Sequence, residues 1–175
     1  MATIVPGGGW RDFRRDLARR WREPFRHATY CFFFIASVIF VGGLGIWLEF
    51  VMLARSDPPA STTNLRTAIA TFFPALIGST CLQILFGTYL KAMKAFSIVF
   101  TLIFSAIGAW LIMDDALRPQ TAFFVGGAST LASLWYWWIA NADNADYYDD
   151  RAPTASIGGD DPTRPLEGNL TGFQS

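Results

Sequence analysis

Residues 29–53 read TYCFFFIASVIFVGGLGIWLEFVML. Only Ser37 and Glu49 interrupt this apolar run. It exceeds the ~20 residues that cross a ~30 Å hydrocarbon layer as a helix. In lipid the backbone must satisfy its own hydrogen bonds, so an isolated run of this kind is a helix. Three more runs follow, at 65–90, 95–113 and 121–140. The expected fold is therefore an all-α membrane protein with four antiparallel transmembrane helices.

The segments between the runs are short. Asp57-Pro58-Pro59 forms a stiff turn, residues 91–94 a tight hairpin, and Arg118-Pro119 stops one helix and lets the next begin. Short connections make consecutive helices antiparallel neighbours. The chain divides into a basic head (1–27), a membrane domain (28–141) and an acidic tail (142–175). The tail is rich in Asp, Gly, Pro, Thr and Asn, and so is expected to be largely disordered.

Formal net charge is zero, but its distribution is uneven. Residues 1–27 hold seven Arg against three acids, and residues 141–175 hold seven acids against two Arg. With the N-terminus inside, eleven basic residues lie on the inner side and three on the outer. That bias places both termini in the cytoplasm by the positive-inside rule. The expected location is a cell membrane, of the bacterial inner-membrane type. Trp135, Tyr136, Trp137 and Trp138 are expected to form an aromatic belt at the inner interface.

The head has its own pattern. Trp10, Phe13, Leu17, Trp21 and Phe25 recur at helical spacing, with Arg14, Arg15, Arg19 and Arg22 on the flanks. Glu23-Pro24 ends the helix. An amphipathic helix of this kind is expected to lie in the interface, its apolar stripe in lipid and its arginines on anionic head groups. Lipid explains the stripe better than nucleic acid does.

Inside the runs, polar residues define helix-packing or pore-lining candidates. Thr71, Ala75, Ser79, Gln83 and Gly87 follow at four-residue steps in the second run. Ser97, Thr101 and Ser105 do so in the third, and Gly126, Ser129, Thr130 and Ser133 cluster in the fourth. Small and hydroxyl residues let helices approach closely and bond across the contact. Their first expectation is packing within the bundle. Pro74 is expected to kink the second helix, and Gly42, Gly43 and Gly45 to weaken the first. Glu49, Arg66, Asp114 and Asp115 are outer-interface charges, with Arg55 or Arg66 available to pair with Glu49. Cys31 and Cys81 are expected as buried, unbridged thiols.

Catalytic signatures are missing from the sequence. His27 is the one histidine and stands at the membrane entry. The Asp114-Asp115 pair has no His or Glu close in sequence. The 141–146 stretch resembles a calcium loop but lacks its required Gly and Glu. The expectation is a non-enzymatic accessory, regulatory or scaffolding subunit, without cofactor or metal. It would bind membrane lipids and assemble as a homo-oligomer or within a larger complex. The alternative is an oligomeric pore or membrane-perturbing effector of the kind used in toxicity or phage defence.

Overall fold

The computed structural model describes residues 9–55, 61–114 and 116–149. Among them every regular element is helical. Helix α1 spans Gly9–Arg22, and a 3₁₀ turn, Glu23–Arg26, leads into α2 at Ala28–Phe33. A π-helical stretch, Phe34–Gly42, continues α2, and α3 follows at Leu44–Arg55. Then come α4 (Thr63–Phe86), α5 (Lys91–Met113) and α6 (Pro119–Asn141).

Helices α4 and α5 are each long and apolar enough to cross a membrane. A third candidate span arises if the head and residues 28–42 are taken as one element, bent by 94° at its break. Helix α6 has a comparable length, with Ser, Thr, Gly and ring residues interspersed, and is not among these candidates.

Helix α4 is central and packs against α3, α5 and α6. Its contact with α5 depends on Gly108. A Cβ there would lie 2.7 Å from Pro74 Cγ and 3.0 Å from the Ala70 carbonyl oxygen. Pro74 cannot donate to that carbonyl. Gly108 lets α5 close over the site where the α4 hydrogen-bond ladder is missing a rung, and α4 remains a single helix through Pro74.

The first run is less regular than the sequence predicts. Its middle is π-helical and its α-helical path breaks at Gly43. A Cβ at Gly43 would sit 2.4 Å from the Ile39 carbonyl oxygen, so no other residue fits that backbone. The Trp47 indole donates to the same carbonyl at 3.1 Å and so supplies a polar partner at the break. Helix α3 has no fully buried residue.

The aromatic band of α6 belongs to the core: Tyr136, Trp137 and Trp138 are buried and Trp135 is half-buried. The last-turn carbonyls of a helix have no partner within it. Here the Tyr30 hydroxyl donates to the Trp138 carbonyl at 2.7 Å, and the Tyr89 hydroxyl to the Ala140 carbonyl at 2.6 Å. Residues 142–149, assigned to the tail from sequence, turn back onto the bundle. Tyr147 stacks on Phe33 and Tyr148 on His27. Cys31 and Cys81 are both free thiols.

Candidate functional site

Two surfaces gather most of the residues that the sequence singles out. The first is the outward face of α4. Thr67, Thr71, Ala75, Ser79 and Gln83 are all exposed. The expectation that the second-run stripe packs inside the bundle is therefore corrected, since α4 turns it away from α5 and α6. The hydroxyls are satisfied locally. Thr71 Oγ1 donates to the Thr67 carbonyl at 2.9 Å, and Ser79 Oγ to the Leu76 carbonyl at 2.9 Å. Such back-bonding hides the polar atoms and leaves a small, smooth ridge. Gln83, at its lower end, accepts from Asn141 Nδ2 at 3.4 Å.

The α5 stripe divides. Ser97 is buried and hydrogen-bonded to the Tyr136 hydroxyl. Thr101 is half-buried and donates to the Ser97 carbonyl at 2.8 Å, whereas Ser105 is exposed. The α6 stripe points inward, with Gly126, Ser129 and Ser133 buried. Thr130 is half-buried and donates to the Gly126 carbonyl at 2.9 Å.

The second surface is the bundle end that carries α1. Here the lipid-facing expectation is corrected in part. Phe13 is buried and its ring lies 5.7 Å from that of Phe96 on α5. Leu17 packs against the core beside it. Trp10 and Trp21 remain exposed, as do Arg14, Arg15, Arg19 and Arg22. The stripe is thus shared, with its middle on the bundle and its ends outside.

A lattice of charges fixes α1 there. Arg20 is buried, with Nε 2.8 Å from Asp16 Oδ2 and Nη2 2.6 Å from Asp143 Oδ2. Arg19 Nη1 donates to Asp143 Oδ1 at 2.6 Å and Nη2 to Asp16 Oδ1 at 2.9 Å. Two cations and two anions alternate, which a buried guanidinium requires. Arg20 Nη1 has no hydrogen-bond partner among the described residues, but the guanidinium carbon stands 4.9 Å from the Tyr89 ring centroid. That cation–π contact offsets part of the desolvation. The Arg19 hydrogen bond holds the Asp143 carboxyl below the usual carboxylate range. Beside this lattice lies a cavity of about 310 Å³, lined in part by Gln83, Thr88, Tyr89 and Asn141.

At the start of α2 the Asp149 carboxylate accepts from the Ala28 and Thr29 amides at 2.7 and 2.9 Å, and from Thr29 Oγ1 at 2.5 Å. The Thr29 bond leads the causes that lower the Asp149 carboxyl. This is an N-cap supplied from the far end of the chain. The outer charges are less concentrated. Glu49 is half-buried on α3, while Arg66 Nη1 donates to the Asp114 carbonyl at 3.3 Å. Asp114 Oδ1 accepts from the Ala116 amide at 3.1 Å. Asp115 and residues 150–175 lie outside the described residues.

Sequence reasoning missed Arg20, Asp143, Tyr30, Tyr89 and Asp149. Arg20 had a local signal, because it shares a helical face with Phe13 and Leu17 and has Asp16 one turn before it. The others act through contacts distant in sequence and leave no periodic trace. No protein-family model matches this chain, and no curated protein or solved structure matches it.

Proposed function

We propose that the chain is a four-span membrane protein, both termini cytoplasmic, acting as a non-enzymatic accessory or scaffolding subunit that joins other chains through α4. The observation that carries this reading is a contrast between two outward faces. On α5 the exposed residues include Ile98, Val99, Leu102 and Ile103, as a lipid-facing surface should. On α4 they include Thr67, Thr71, Ala75 and Ser79. Lipid gives no reason for small hydroxyl residues along one face, whereas close helix packing does. On this reading α6 is the fourth span, its polar stripe shielded against α4.

The pore reading uses the same ridge differently and is the weaker of the two. Hydroxyls already bonded to their own helix offer little to a conducted ion. The test is the particle extracted from its native membrane, with subunits counted by native mass spectrometry. A homo-oligomer or a stoichiometric partner is expected. A monomer without partners, in nanodiscs as well as in detergent, would refute the reading. Ion flux in liposomes that is altered by Gln83→Leu would favour the pore instead.

A further inference from the structure

A cleft runs between the first run and α6, in two adjoining parts. One part, about 320 Å³, is lined by residues that include Trp21, Phe25, Phe34, Leu131 and Trp138. The other, about 250 Å³, is lined by residues that include Gly43, Ile46, Trp47, Phe72 and Thr130. Ile39 and Leu134 line both parts, so the two are neighbours. The cleft begins where α1 ends and reaches the break in the first run.

Its walls are almost wholly apolar, for identifiable reasons. The Ile39 carbonyl at the break is occupied by the Trp47 indole, and the Thr130 hydroxyl by the Gly126 carbonyl. The Trp138 indole donates to the Trp21 carbonyl at 3.2 Å. An apolar lining of this kind gives water no partners and favours an apolar occupant. Two of its lining residues, Trp21 and Phe25, are each followed in sequence by an exposed arginine, Arg22 and Arg26. Among the described residues the ion pair of Arg26 is a long one to Glu23, at 3.9 Å.

We propose that this cleft is a specific site for one anionic phospholipid, an acyl chain lying along Ile39 and Leu134 and the head group held by Arg22 and Arg26. The proposal rests on membrane residence and gives the lipid contact a defined place, distinct from general adhesion of α1.

The test uses the full chain and two probes with identical acyl chains, phosphatidylglycerol and phosphatidylcholine, read by native mass spectrometry. One phosphatidylglycerol should survive activation that strips the remaining lipid. Leu134→Trp should fill the cleft and cut retention by about tenfold. Leu131→Trp, at a position 69% exposed and so tolerant of bulk, should do the same and covers the case in which Leu134→Trp fails to fold. Arg22→Gln with Arg26→Gln should remove about tenfold of the preference for the anionic head group. Retention unchanged in both tryptophan variants, or equal retention of the two lipids by the parent chain, overturns the proposal. Recovery of the chain from the soluble fraction would refute membrane residence itself, and is scored separately by fractionation.

Discussion

Asp143 is the residue on which the α1 end depends most. It serves Arg19 and Arg20 together, and Arg20 is buried. Removing the partner of a fully buried charge costs ~3–5 kcal/mol. The Asp143 side chain is 39% exposed, so screening reduces this, and about 1–2 kcal/mol is expected for Asp143→Asn in a reversible unfolding measurement. The pH dependence has a definite sign. The folded carboxyl titrates below its unfolded value of about 3.9, so its contribution is complete above that value and fades as pH falls towards the folded value. Asp143→Asn should therefore flatten, without abolishing, the acid limb of a stability-against-pH curve. The Asp149 carboxyl is lowered in the same sense and supplies part of what remains. An acid limb identical in the parent and Asp143→Asn would contradict this account of the lattice.

At the scale of elements, the α4–α5 contact and the start of α2 give separate tests. Gly108→Ile forces a side chain against Pro74 and the Ala70 carbonyl, which must move. Overpacking of this kind costs about 1–3 kcal/mol, measurable as a lower melting temperature in detergent. Asp149→Ala should lower that melt only slightly, because the cap is exposed, while speeding hydrogen exchange at the Ala28 and Thr29 amides, which it caps. Unchanged exchange would remove the N-cap from the account. The long apolar runs of α4 and α5 were legible because hydropathy alone identifies them. The break at Gly43 was legible only as weakness, since π geometry depends on how Trp47 and Ile39 meet. The direction of the α4 stripe was not legible at all. Four-residue steps define a face, but which neighbours cover the rest of the helix is decided by α3, α5 and α6. For the same reason the burial of the α6 rings was not legible, since it depends on distant residues such as Tyr30 and Tyr89, which bond the last carbonyls of that helix.

For the whole molecule, both ends of the described chain converge. Helix α1 crosses one end of the bundle, residues 142–149 fold back onto the same end, and the Arg–Asp lattice joins them. The outward surfaces include the basic side of α1 and the small-residue ridge of α4. On the proposed function these are the two places for neighbours, lipid at one and protein at the other. Cysteine cross-linking in native membranes separates these most directly. With Cys31 and Cys81 replaced, Ala75→Cys on the ridge is compared with Leu102→Cys on the aliphatic face of α5. The account predicts a discrete cross-linked species, a dimer of this chain or a stoichiometric adduct, from Ala75→Cys and none from Leu102→Cys. Equal cross-linking at both positions, or none at Ala75→Cys under any oxidant, would contradict it.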